Sequence, residues 1–410
     1  MTKHLANNYK LLIKTGEKII INRANGSKFY DINNNSYIDG TSSYCSANLG
    51  HNHLYFKKCI IKQMDKISIC PRYIENEYLN NLGIVVNKYF NKLIKMKETD
   101  ILQILPSCNG VDTIETAIKL SRAWGYEKKG IPIMNSKQIF FDGNFHGRSI
   151  SAISVSNYEY QKKFYPKVPN LYSIGGYNDI EYLENIFNRI DIDNISAIFI
   201  EPIQCEGGIN ILSNNFLIKL RYLCDKYDIL LICDEIQTGL FRTGKLLCSS
   251  NFDCKPDIIL LGKSLGGGYL PISLTITSDK IMNCIKPGEH GSTFGGNPLA
   301  SYIATEVLEY LHNNNYEYIV NKKAKILKNE LDNLMVLFNF IKEIRSYGLL
   351  YGIEIDKTIS SSDICNNLIN QGIIIKDTQK NTLRLSPPFI INNIEIEELI
   401  DGLYKVFNKI

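Results

Sequence analysis

Four short apolar runs, "QIFFDG", "ISAIFIEP", "ILLICDE" and "DIILLGK", punctuate the chain between Gln138 and Lys263, with stretches of helical periodicity between them. Runs of this kind, rich in Ile and Leu and flanked by helical segments, demand burial on both faces. They argue for a mostly parallel sheet covered by helices on each side. Before them, "KIIINRANGSKFYDINNNSYIDGTSS" reads as two or three short strands separated by Asn/Gly turns, and a helical pattern sets in at about Leu54. After about Pro298 the pattern is helical again, and the chain closes in an α+β stretch containing "GLLYGIEI" and "NTLRLSPPF". The expected architecture is therefore α/β. A large domain spans residues 51–298, and a smaller α+β domain is built from both chain ends, residues 1–50 and 299–410.

Composition narrows the function classes. A chain of 410 residues has ample material for two or three packed domains, and its net charge of +4 is small for that size. No Lys/Arg block is dense enough for a nucleic-acid face. Eleven cysteines are scattered without CxxC pairs or His/Cys ligand spacing, so neither a zinc site nor a disulfide framework is expected. They read as reduced thiols of a cytoplasmic protein. The start, "MTKHLANNYK", has no apolar signal core, and a single Arg in the first 25 residues makes a poor transit peptide. No apolar run approaches the ~20 residues of a membrane span.

Ligands of parallel α/β sheets collect beyond the C-terminal ends of the strands. There "LLICDEIQTG" places Asp234, "IILLGKSLGGG" places Lys263, and "AIFIEPIQCEGG" places Glu201 and Glu206. A lysine at the end of a buried strand is costly as a cation. It is either salt-bridged or held as an amine of depressed pKa for carbonyl chemistry. The glycines of "SLGGGYLP" favour the second reading, since they let backbone approach a bound group. A further segment, "SCNGVDTIETAIKLSRAWGYEKKGI" from Ser107 to Ile131, opens a long amphipathic helix with small polar residues. Ser107, Asn109 or Asp112 can cap that helix, and its free N–H groups can also hold an anion. The segment alone leaves both readings open.

In order along the chain, "DEIQTGLFRTGK", "LLGKSLGGG", "KPGEHGSTFGGNPLA" and "RLSPPF" resemble the class III aminotransferases, fold-type I enzymes that use pyridoxal 5′-phosphate. The resemblance covers roughly Asp39 to Phe389. The phrases "KPGEHGST", "KLSRAWGY" and "TSSYCSANLGH" are similar to the branch that acts on ornithine. The resemblance implies that Lys263 carries the cofactor and moves the substrate proton, and that Asp234 pairs with its ring nitrogen. It implies that Gln237 bonds the ring oxygen and Phe145 stacks on the ring. Asn109, Gly110 and Val111 would hold the phosphate, with Ser292 and Thr293 reaching it from a neighbouring subunit, so that a homodimer shares its sites. Arg384 resembles the arginine that grips the α-carboxylate of 2-oxoglutarate and glutamate, and Arg148 the one that grips the distal carboxylate. Glu206 matches a glutamate that covers Arg384 while ornithine reacts. Tyr44, which by itself reads as a half-buried strand tyrosine, matches a residue that hydrogen-bonds the α-amine of free ornithine.

The chain departs from the family pattern at several places. Asn109, Asp112 and Ile114 stand where Ser/Thr, Glu and a smaller residue are usual, Cys205 replaces a glycine, and His146 replaces a tryptophan. A second substrate tyrosine near the N-terminus has no clear counterpart, Tyr9 being the nearest. The expected reaction moves the δ-amine of L-ornithine to 2-oxoglutarate. N-acetylornithine, 4-aminobutyrate or another ω-amine is the alternative donor. A catalytically inactive homologue with a binding role is disfavoured by Lys263, Asp234, Arg148 and Arg384 together. A nucleotide-binding oxidoreductase is disfavoured because no GxGxxG follows an early strand.

Overall fold

The computed structural model describes residues 13–14, 17–156, 167–189, 191–379 and 381–410; Tyr9 lies outside them. After a two-residue antiparallel pairing of Ile13–Lys14 with Glu17–Lys18 come three strands: β1 (Ile21–Asn25), β2 (Lys28–Asp31) and β3 (Ser36–Asp39). Helices α1 (Leu54–Met64) and α2 (Glu77–Phe90) follow. The central region then supplies β4 (Leu102–Ser107), helix α3 (Gly110–Glu127), β5 (Lys137–Phe141), β6 (Leu171–Ile174), β7 (Ile195–Ile200), helix α4 (Asn214–Lys226), β8 (Leu230–Asp234), β9 (Ile258–Leu261) and β10 (Ser273–Ser278).

These seven strands form one sheet in the order β4-β10-β9-β8-β7-β5-β6. All run parallel except β10, which is antiparallel to both β9 and β4. Alternate side chains show why the apolar runs are continuous. Phe140, Phe199, Leu230, Ile232, Ile258 and Leu260 pack on one face with Ile114, Ile118 and Trp124 of α3. Ile139, Phe141, Ile198, Ile200, Leu231 and Cys233 pack on the other with Leu217, Leu220 and Leu223 of α4. Each large apolar side chain so buried contributes about 1.5–3 kcal/mol, which leaves no polar face for a strand to turn outward.

The C-terminal part contributes α5 (Pro298–Asn313), α6 (Tyr316–Leu337), β11 (Ile341–Tyr347), β12 (Leu350–Ile355), α7 (Ser361–Ile369), β13 (Ile373–Ile374), β14 (Lys376–Thr378), β15 (Thr382–Leu385) and α8 (Asn393–Phe407). One four-stranded sheet runs β11-β12-β15-β14. A second, β13-β3-β2-β1, joins the two ends of the chain, with Ile373 opposite Ile38 and Ile374 opposite Asp39. Among the described residues no helix is long and apolar enough to cross a membrane.

Candidate active site

Five parallel strands deliver polar groups to the same edge of the large sheet. Asp234 is the last residue of β8, and Lys263 lies two residues beyond β9 on the neighbouring strand, where Asp234 stands opposite Leu260. Glu201 follows β7, the Phe145–Arg148 loop follows β5, and Asn109 follows β4. This is the C-terminal edge, where ligands of parallel α/β sheets collect.

Lys263 adopts φ +47, a left-handed conformation that costs a non-glycine residue about 1–2 kcal/mol. Its amine donates to the Gln237 Oε1, and burial pushes its pKa below the ordinary lysine range. Asp234 is buried. Its Oδ1 accepts the Ile236 N–H at 3.0 Å, and its Oδ2 lies 2.7 Å from His146 Nδ1. The His146 ring is wedged edge-on to Phe140, which itself stacks on Phe199 at 4.4 Å between centroids. Burial opposes protonation of His146, but the hydrogen bond to Asp234 and the nearby Glu201 charge outweigh it, so its pKa is raised. In the sequence His146 stands out only as a replacement for tryptophan; nothing local in "GNFHGRS" signals a contact to a residue almost ninety positions away. Glu201 accepts the Phe145 N–H at 3.1 Å, and burial lifts its carboxyl to about 8.

At the start of α3 the cap and the anion reading coexist. Asn109 caps the helix by accepting the Asp112 N–H at 3.2 Å, while the Asp112 carboxylate accepts the Asn109 N–H at 3.3 Å. The usual Ser/Thr and Glu of such a box are here exchanged for a longer cap and a shorter acid, so the reciprocal reach is kept. The first-turn N–H groups of Gly110 and Val111 precede any intrahelical acceptor. Gly147, at φ +113, lets its loop close on them: a Cβ there would meet Val111 Cγ2 at 2.5 Å. Ile114 is fully buried against the sheet, and Cys205 packs in a small apolar cluster with Ile203, Ile209, Cys248 and Leu350.

On the other wall, Arg384 of β15 is fully buried and ion-paired to Glu206. Burial disfavours both charges, yet the pair overrides it: Arg384 is raised and Glu206 lowered from their ordinary values. Both charges also act on the Lys263 amine, with opposite signs. Arg384 Nε and Nη2 have no hydrogen-bond partner among the described residues, and neither do Gln237 Nε2 and His146 Nε2. Arg148 is exposed, with its guanidinium 5.5 Å from the Phe145 ring centroid.

Tyr44 does not sit in a strand. Ser42, Ser43, Tyr44 and Cys45 take φ of 46, 48, 59 and 64, a single turn wound in the left-handed sense. Four such non-glycine residues in a row require strong local anchors. The turn leaves Tyr44 48% exposed, with Arg384 5.1 Å from its ring centroid. The two remaining expected residues differ. Ser292 Oγ is 3.6 Å from Cys108 Sγ, next to the start of α3, whereas Thr293 is exposed and has no hydrogen bond to Lys263, Asp234 or Gln237 among the described residues.

A lysine and an aspartate on adjacent strand ends of a seven-stranded sheet with one reversed strand, facing a helix N-terminus, define the fold-type I enzymes that work through pyridoxal 5′-phosphate. The polar atoms fit that cofactor: a buried carboxylate backed by a histidine, an amine of lowered pKa, an unpartnered amide nitrogen beside it, and two open helix N–H groups. The chain belongs to the class-III aminotransferase family, whose model matches residues 13–407. It is 38% identical over 409 residues to ornithine aminotransferase 1 of Staphylococcus saprophyticus, covering 99% of this chain and 98% of that one. The crystal structure of the ornithine aminotransferase from Toxoplasma gondii superposes with a TM-score of 0.91 at 33% identity, covering 99% of this chain and 93% of that one. An acetylornithine aminotransferase from Elizabethkingia anophelis gives a TM-score of 0.85 at 32% identity, over 100% of this chain and 97% of that one.

Proposed function

We propose that this aminotransferase moves the δ-amine of L-ornithine to 2-oxoglutarate, yielding glutamate 5-semialdehyde and glutamate. The observation that carries this reading is the ion pair of buried Arg384 with partly exposed Glu206, with Tyr44 across the face of the guanidinium. When bound, the cofactor supplies a carbonyl carbon for the amine and a cationic ring that accepts the electron pair left on the substrate carbon. Lys263 would hold it and, once released by the substrate amine, would move the proton of the reacting carbon. Asp234, steadied by His146, keeps the ring nitrogen charged, and Gln237 and Phe145 orient the ring. Asn109 with the Gly110 and Val111 N–H groups binds the phosphate dianion.

Glutamate carries two carboxylates and one amine, ornithine one carboxylate and two amines. A free Arg384 would draw the ornithine α-carboxylate inward and present the wrong amine. With Glu206 on Arg384, that carboxylate would go to Arg148, and the δ-amine would meet the cofactor held at Lys263. The Tyr44 hydroxyl then bonds the α-amine, a contact worth roughly 1–2 kcal/mol. A donor screen with 2-oxoglutarate tests this: ornithine is expected to be used best, and faster turnover of N-acetylornithine or 4-aminobutyrate contradicts it. Tyr44→Ile should lower kcat/KM for ornithine relative to 4-aminobutyrate about tenfold.

We further infer a homodimer in which Ser292 and Thr293 complete the partner's phosphate site. Leu54, Ile61, Met64, Tyr73 and Phe294 remain more than half exposed, apolar surface that a second copy would cover. Thr293→Ala should weaken cofactor affinity by about 1–3 kcal/mol, read by cofactor titration; a fully active monomer in sedimentation contradicts the shared site. All eleven cysteines are free thiols, which supports a reducing, cytoplasmic setting.

A further inference from the structure

We propose that Asp39, backed by His51, is a positioning residue for substrate choice: it sets the left-handed turn that holds Tyr44 across Arg384. The proposal rests on the reading of Tyr44 given above. Asp39 ends β3, and its side chain is fully buried. Its Oδ1 accepts the Thr41 N–H at 2.9 Å and the Thr41 hydroxyl at 2.7 Å. Its Oδ2 accepts the Ser43 N–H at 3.0 Å and lies 2.8 Å from His51 Nε2.

The Ser43 bond is the decisive one. It ties an amide inside the left-handed turn back to the strand end. Backbone bonds from Cys45 N–H to the Thr41 carbonyl and from Ser46 N–H to the Ser42 carbonyl close the turn; without the Asp39 tie, the ordinary preference of L-residues favours unwinding it and moving Tyr44. The start of the turn is fixed separately to the strand bearing Arg384. Ser42 Oγ donates to the Ser386 carbonyl at 2.7 Å, the Ser386 N–H donates to the Gly40 carbonyl at 2.7 Å, and Arg242 Nη2 donates to Ser42 Oγ at 3.1 Å. One end of the turn is thus registered to Arg384, and Asp39 governs which way the rest winds. Asp39 itself has no hydrogen bond to Lys263, Asp234, Glu206 or Arg384 among the described residues.

The test is a double-mutant cycle on the holoenzyme, using Asp39→Asn, Tyr44→Ile and both together, with single-turnover rates measured for the ornithine and glutamate half-reactions. Asparagine keeps the shape but presents an N–H group where the carboxylate accepted one. Asp39→Asn is expected to lower the ornithine-to-glutamate rate ratio about tenfold, as Tyr44→Ile does, and the double variant should fall no further than Tyr44→Ile alone. Additive losses, or an equal fall in both half-reactions, overturn the proposal. A wild type that prefers another amine donor removes the ornithine reading but not this one. The cycle is then run with that donor, where non-additivity supports the positioning role and additivity overturns it. Should Asp39→Asn fail to accumulate as folded protein, His51→Ala carries the same cycle with an expected shift of about threefold in the ratio; an unchanged ratio overturns it.

Discussion

Replacing Lys263 by alanine abolishes transamination, with an expected loss of at least about 10⁴-fold, the upper range for removing a positioned proton-transfer group. The size follows from the convergence of several features on one amine. Lys263 is held at a strand end in a left-handed conformation, its amine is desolvated, and its neighbour Gln237 accepts its hydrogen bond. Depression of its pKa raises the fraction of neutral, nucleophilic amine near pH 7. Glu206 works against that depression, and Arg384 works with it. The Lys263→Ala protein should keep measurable cofactor affinity, because the helix α3 N–H groups and Asp234 remain. Borohydride reduction of the wild-type holoenzyme should leave the cofactor on the peptide containing Lys263; recovery on another lysine refutes the assignment.

Asp234→Asn comes second, with kcat expected to fall about 10²–10³-fold, the range for deleting one preorganised electrostatic contact. Asparagine fills the same space and can still meet His146, so the change removes charge with little change of shape. The carboxylate now sits buried with one oxygen on the Ile236 N–H and the other on His146, an arrangement that stores negative charge where water cannot screen it. Single-turnover rates with ornithine and with glutamate should fall together, since both half-reactions need the charged ring. A loss below fivefold, or one confined to a single substrate, would show that Asp234 serves the scaffold instead.

How far the sequence disclosed this site depends on distance along the chain. The placing of Lys263 and Asp234 at neighbouring strand ends was legible because each closely follows an apolar run, and a buried strand ending in a charge has few structural explanations. The cap at Asn109 was legible because capping is local, spanning only to Asp112. Strand β10, "SLTITS", escaped the apolar-run reading, for its buried Thr275 and Thr277 interrupt the aliphatic pattern. The left-handed turn at Ser42–Cys45 was not legible at all. It contains no glycine, and besides its own backbone bonds it is tied to the Asp39 carboxylate and to Ser386 and Arg242, far away in sequence. The pairing of Glu206 with Arg384 was suggested by family resemblance alone, since no spacing rule links a loop acid to a strand arginine so far downstream.

The pairing of β3 with β13 has a consequence for synthesis. Ile38 and Asp39 cannot meet Ile373 and Ile374 until about 335 further residues have left the ribosome. At about 5–20 residues per second, that delay is roughly 15–70 s. The large sheet, with Lys263 and Asp234, can assemble during this interval, while the stretch that presents Tyr44 must wait for β15 to bring Ser386 and Arg384. A nascent chain therefore completes the strand ends that bear Lys263 and Asp234 before it can seat the turn that presents Tyr44 against Arg384.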